Sequence, residues 1–232
     1  MNYPVRFVSL GPGNAELITL QSLHALQQAE VLFCPSTMSK SGQILSRAAT
    51  LLQELGISET VRLFHLPMSK DRTQAMAVYR DVLRQIAEEY ENGKRIAVAV
   101  EGDAGIYASI HYVLDELKKQ QVPTEQLCGI PSFIAAGAAA QLQLISQEER
   151  LVVIPGSITL EELDNYLFSN HVPVIMKLSG CINPVHQYME MHPEYTYHYF
   201  ENVSTDKAYY SCDREELREK EYPYFSLMII VK

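Results

Sequence analysis

The chain contains no tryptophan and only four cysteines, Cys34, Cys128, Cys181 and Cys212. No two of them form a C-x-x-C pair, which excludes a zinc knuckle and a thioredoxin-like redox motif. Scattered thiols suit a reducing compartment. Basic residues are scarce: 19 Lys and Arg face 28 Asp and Glu, a formal charge of −9. A phosphate backbone repels such a chain, so no nucleic acid is expected as a partner. Long apolar runs are missing as well. No stretch approaches the roughly 18 residues of a membrane span. Met1-Asn2-Tyr3-Pro4-Val5-Arg6 lacks the basic-then-apolar pattern of a signal peptide. The expected setting is cytoplasmic, without a membrane.

What is present fits a folded protein. Of 232 residues, 47% are apolar and 20% charged, enough for more than one core. The first half alternates short apolar runs with helical periods. Val5 to Leu10, Val31 to Pro35, Val61 to Phe64 and Ile96 to Val100 read as strands. Between them, Leu20 to Ala29 reads as a helix capped by Thr19. Ile44 to Leu55 reads as a second helix, stopped by Gly56. A third runs from about Thr73 to Tyr90, stopped by Asn92-Gly93. A fourth reaches about Lys119. This rhythm predicts a parallel sheet with helices on both faces.

The polar stretch from Lys118 to Gln126 suggests a boundary, giving domains 1–120 and 121–232. The second half opens with an alanine-rich helix, Pro131 to Leu144. Strands follow at Leu151–Ile154, Val172–Met176, Tyr195–Phe200 and Phe225–Val231, the last of them central. The expected fold class is α/β, with an N-terminal, mainly parallel sheet and a C-terminal mixed sheet.

Three loops can carry chemistry. Gly11-Pro12-Gly13 follows the first strand, but Glu16 stands where a dinucleotide fingerprint needs its third glycine. Pro12 also removes an amide donor, so the turn suits a pocket wall better than a phosphate. Gly102-Asp103-Ala104-Gly105 follows the most apolar strand, at the strand end where open α/β sheets bind ligands. Asp103 either orders that loop or accepts from a ribose or an amine. Gly129-Ile130-Pro131-Ser132 opens the alanine-rich helix. His186, His192 and His198 recur every six residues, which matches neither a helix face nor a strand face, and no metal site is expected. A G-x-S-x-G elbow is missing.

Taken together, these segments resemble the tetrapyrrole methylases, which transfer methyl groups from S-adenosylmethionine to corrin and sirohaem precursors. The matching stretches are Val8 to Leu20, Ala29-Glu30-Val31, Gly102 to Tyr107, Gly129 to Ala136 and Val174 to Lys177. Within the family, Ser39-Lys40-Ser41-Gly42, Leu66-Pro67-Met68 and Tyr224-Phe225-Ser226-Leu227 resemble the branch that methylates C-20 of precorrin-2 or of cobalt-factor II. There are two departures. Ala104 replaces the proline of the family's Gly-Asp-Pro, and Pro131 replaces the first serine of its Pro-Gly-Val-Ser-Ser.

The resemblance implies a cofactor cleft between two α/β domains, a homodimer and S-adenosylmethionine as cofactor. Carried over by position, it implies that Pro12 lines the cofactor site. Gly102, Asp103 and Ile106 would hold the methionine and ribose parts, and Pro131 and Ser132 would approach from the next helix. Met176 and Val203 would flank the adenine. A polycarboxylate substrate needs local positive charge, for which Lys40, Arg47, Lys70 and Arg72 are the candidates. No general base can be singled out. Methylation at another macrocycle carbon, a tetrapyrrole metal chelatase and a non-catalytic ligand-binding module remain as alternatives.

Overall fold

Five apolar residues in a row, Ile96–Val100 (β5), form the centre of the first sheet, and all five are buried. Alternation splits them between two cores. Ile96, Val98 and Val100 join one apolar cluster, and Ala97 and Ala99 join another. A strand buried on both faces needs helices on both faces, as parallel sheets require. The computed structural model describes residues 3–38, 42–67 and 72–232.

β5 lies between Val5–Ser9 (β1) and Val31–Met38 (β2), parallel to both. Val61–His65 (β4) runs parallel to β2, and Thr124–Leu127 (β6) runs parallel to β1. Ile44–Leu45 (β3) runs antiparallel to β2, against Thr37 and Met38. One face carries Leu20–Gln28 (α1) and Arg47–Glu54 (α2), which bury Leu26, Leu51 and Leu52. The other carries Arg72–Glu91 (α3) and His111–Lys119 (α4), which bury Tyr79, Ile86 and Leu117. Thr19 caps α1 as expected, its Oγ1 accepting from Ser22 N.

Two expectations need correction. Ile44 and Leu45 keep helical spacing with Leu51 and Leu52, yet they pair as β3. The helix begins only after Ser46, whose Oγ accepts from Ala49 N at 2.9 Å. A serine at an N-cap position overrides a spacing that continues through it. The second correction concerns the boundary. The chain divides into compact units Met1–Pro131 and Ser132–Lys232, not at 120/121. The polar stretch holds β6, whose Thr124 to Leu127 pair with Val5 to Val8. An edge strand tolerates polar residues because one side of it faces solvent, so its low hydrophobicity imitates a linker.

The second unit starts at Ser132–Ala139 (α5). Its five-stranded sheet comprises Arg150–Ile154 (β7), His171–Met176 (β8), Thr196–Glu201 (β9), Tyr209–Ser211 (β10) and Ser226–Val231 (β11), in the order β10-β9-β11-β8-β7. β11 is central, as expected, and antiparallel to both neighbours, while β7 and β8 are parallel. The sheet is therefore mixed. Leu160–Phe168 (α6), Ile182–Met191 (α7) and Arg214–Arg218 (α8) contribute Leu163, Val185 and Leu217 to the core against one face. With tryptophan absent, tyrosine supplies the bulk: Tyr188, Tyr197 and Tyr199 are among the largest fully buried side chains.

Candidate functional site

In the first unit the chemistry gathers at the carboxyl ends of β1, β5 and β6. The loop after β1 and the loop after β5 are tied backbone to backbone. Gly11 N donates to Gly102 O at 3.1 Å, and Gly102 N donates to Gly11 O at 2.9 Å. Pro12 is buried directly beside this bridge. The loop after β6 closes onto the same point. A Cβ on Gly129 would stand 2.6 Å from Ser9 Cβ and 2.9 Å from Gly102 O, so only glycine lets the three loops meet.

Asp103 is the tie between them. Its Oδ1 accepts from Gly105 N at 2.8 Å and its Oδ2 from Gly129 N at 2.6 Å. Of the two roles open to it in the sequence, the loop-ordering one is visible here. Ile106 N donates to Asp103 O at 3.1 Å, which folds half-buried Ile106 back over the turn. Pro131, half-buried, follows Gly129 by two residues, and Ser132 is the first residue of α5.

Ser9 is the residue that sequence reasoning missed. It is fully buried; its Oγ donates to Leu127 O at 2.6 Å and accepts from Ala104 N at 2.9 Å. One hydroxyl thus links all three strand ends. The signal was a lone polar side chain closing an apolar strand. The second bond also accounts for Ala104: a proline at that position has no N–H to give. His111 completes the support, its Nε2 lying 2.9 Å from Ala104 O.

The candidate basic residues separate. Arg47 begins α2 and Arg72 begins α3, helices that pack on opposite faces of the sheet. Arg47 acts electrostatically on the carboxyl of Glu101, and Arg72 on the phenol of Tyr79. Lys40 and Lys70 lie outside the described residues, as do Ser39, Ser41 and Met68.

In the second unit, Met176 ends β8, and Val203 stands two residues past β9. β8 and β9 both run antiparallel to β11 between them, so the two residues come to the same end of the sheet. Lys177 N donates to Ser226 O and Asn202 N to Phe225 O, each at 2.9 Å, which fixes both exits. The loop after β7 reaches this end too. Gly156, at φ +83°, lets its backbone pass where a Cβ would stand 2.6 Å from Lys177 O. Met176 is half-buried and Val203 is 9% exposed.

The three loops of the first unit, Leu10–Gly13, Glu101–Tyr107 and Cys128–Pro131, contain no Lys or Arg and two carboxylates. This set lacks the basic side chains that commonly neutralise a phosphate. Carbonyls and carboxylates are suited to a positively charged ligand. Among the described residues, no group of three or more His, Cys, Asp or Glu is placed to hold a metal ion. His198 instead lies 2.9 Å from the Tyr210 hydroxyl, and His192 stacks on Tyr188 with ring centroids 4.2 Å apart. Among the described residues, no helix is long and apolar enough to cross a membrane.

Comparison with known proteins agrees with this geometry. The model of the tetrapyrrole (corrin/porphyrin) methylases matches residues 4–217. The chain is 29% identical over 181 residues to the cobalt-precorrin-2 C(20)-methyltransferase of Salmonella typhimurium, covering 78% of this chain and 75% of that protein. It is 27% identical over 231 residues to the precorrin-2 C(20)-methyltransferase of Sinorhizobium sp., covering 96% and 93%. A uroporphyrin-III C-methyltransferase from Thermus thermophilus, solved with S-adenosyl homocysteine, shares the fold at a TM-score of 0.68 with 18% identity, covering 98% and 92%. A match over nearly the whole length, on a fold whose glycine loops meet as the motifs require, makes the chain a member of the tetrapyrrole (corrin/porphyrin) methylase family.

Proposed function

We propose that the chain is an S-adenosylmethionine-dependent C-methyltransferase of cobalamin biosynthesis that methylates C-20 of precorrin-2 or of cobalt-factor II. One observation carries this reading. Three loops without basic residues are locked together at the carboxyl end of a parallel sheet, in a chain that aligns over most of its length with two C(20)-methyltransferases.

The residues fit the cofactor. Carbonyls of the Glu101–Tyr107 loop suit a sulfonium, and Pro12, Gly102, Asp103, Ile106, Pro131, Ser132, Met176 and Val203 are the proposed cofactor contacts. When bound, the cofactor supplies an activated methyl group on a neutral leaving group. The chain's own work is then alignment. Fixing carbon, methyl and sulfur in line can remove roughly 7–11 kcal/mol of barrier. The Ser9–Asp103 network holds three loops rigid for that purpose, which is why a catalytic triad is not required. Arg47 and Arg72, with Lys40 and Lys70, are the proposed partners of the substrate carboxylates. We further propose a cytoplasmic homodimer, the assembly that family membership supports; light scattering on the purified protein tests it.

The experiment that tests the reading is direct. Purified protein is incubated with labelled S-adenosylmethionine and either macrocycle. We expect label in the macrocycle and S-adenosylhomocysteine as co-product. Cobalt insertion without the cofactor would instead identify a chelatase, and cofactor binding without turnover would identify a binding module.

A further inference from the structure

The carboxylates of the glycine loops are already occupied. Both oxygens of Asp103 are taken by amides, those of Gly105 and Gly129. Glu101 is turned to the first turn of α2, where it accepts from Ala48 N–H. The carboxyl ends of β2 and β4 carry a pair that this network does not use. His65 closes β4 and stands in register with Ser36 on β2. Ser36 is 2% exposed, whereas His65 is exposed. Ser36 Oγ lies 3.0 Å from Phe64 O and 2.6 Å from His65 Nδ1. A carbonyl only accepts, and a hydroxyl has one hydrogen to give. Both bonds exist together only if Ser36 donates to Phe64 O and His65 donates to Ser36 from Nδ1. Neutral His65 then carries its lone pair on Nε2, at the far end of an exposed side chain.

Its place is the ligand edge of the sheet, because open α/β sheets bind at the carboxyl ends of their strands. Only β2 separates β4 from β5, so the two strand ends lie about 10 Å apart at ordinary strand spacing. A tetrapyrrole ring covers that span. Arg47, a proposed carboxylate partner, starts α2 on the same face. Cys34 packs there with Leu51 and Leu52, Ser36 follows it by strand alternation, and Ser46 Oγ ties the helix start to Pro35 O at 2.6 Å. A carboxylate base would repel a polycarboxylate substrate. A neutral imidazole does not, and the imidazolium it becomes is stabilised by the substrate's own carboxylates. Resting on the proposed methyl-transfer reading, we infer that His65 Nε2 accepts the proton displaced from the methylated macrocycle carbon.

A π pair of the macrocycle forms the new C–CH3 bond as the methyl–sulfur bond breaks and its pair stays on sulfur. The C–H bond at the same carbon then breaks, and its pair returns to the conjugated ring. The proton goes to the Nε2 lone pair of His65 and from the imidazolium to water. Nδ1 keeps its hydrogen throughout, so the bond to Ser36 survives the transfer and holds the ring in place.

The test compares wild type with His65→Ala and His65→Gln on precorrin-2 and cobalt-factor II. Cofactor binding is measured by calorimetry, free imidazole is added as a rescue probe, and 15N NMR reads the histidine ring of the wild type. We expect both variants to lower kcat by about 10²-fold or more, with KM and the Kd for S-adenosylmethionine each within about threefold of wild type. Both should keep the wild-type Tm, because the side chain is exposed. Imidazole should restore part of kcat in H65A, since it replaces a missing base. NMR should show neutral His65 protonated at Nδ1. Wild-type kcat in either variant, a loss confined to KM or to cofactor affinity, a fall in Tm, no rescue by imidazole, or a neutral His65 protonated at Nε2 would each overturn the assignment while leaving the methyltransferase reading intact. A wild-type protein that transfers no methyl to either macrocycle would overturn that reading, and the role of His65 with it.

Discussion

The smallest part that determines the site is one hydroxyl. Ser9 Oγ satisfies Leu127 O and Ala104 N–H at once, inside protein where water cannot replace it. Removing it strands two buried backbone groups, each costing about 1–3 kcal/mol. We therefore expect Ser9→Ala to destabilise the protein by about 2 kcal/mol or more and to weaken cofactor binding, measured by urea unfolding and calorimetry. The glycine motifs were legible in the sequence because only glycine permits those approaches. Ser9 was not, because nothing local distinguishes a serine that links three strands from one at a strand end. Asp103 fell between: its loop was legible, but its bond to Gly129, 26 residues on, belongs to tertiary structure. The thiols give a second residue-scale test. Cys34 and Cys181 are buried, with burial pushing each up to about 11, whereas Cys128 and Cys212 are exposed. Alkylation at pH 8 should label Cys128 and Cys212 and spare the other two until denaturant is added, as read by mass spectrometry. Thiolate is the reactive form.

At the scale of elements, periodicity identified the buried strands and the long helices, because a face that must be apolar is visible in one dimension. It failed at Ile44–Leu45. There the spacing ran on through Ser46, and cap chemistry decided the outcome. Ser46 Oγ accepts from Ala49 N and donates to Pro35 O at 2.6 Å, so it both starts α2 and pins it to β2. We expect Ser46→Ala to cost about 0.5–2 kcal/mol, measured as a drop in Tm. The candidate basic residues were legible only as a list. Which face each helix covers is set by packing, and that places Arg47 and Arg72 on opposite sides of the sheet.

For the whole molecule, the scarcity of positive charge and the absence of tryptophan set the problem, and the fold shows how it is met. Tyrosines fill the second core, and the glycine loops dispense with basic residues. Two α/β units were legible, but their boundary was not. A polar edge strand reads like a linker until its hydrogen-bonded partner is known. We expect a fragment of residues 1–131 to unfold cooperatively on its own. Residues 1–120, stripped of β6, should not, because β1 would lose the partner that pairs Val5 to Val8. Circular dichroism melts of the two fragments check this. The central claim is tested most directly by placing the transferred methyl. With 13C-methyl S-adenosylmethionine and precorrin-2 or cobalt-factor II, we expect one added methyl by mass and a single new 13C signal assigned by NMR to C-20. A methyl at any other macrocycle carbon, or none, would contradict it.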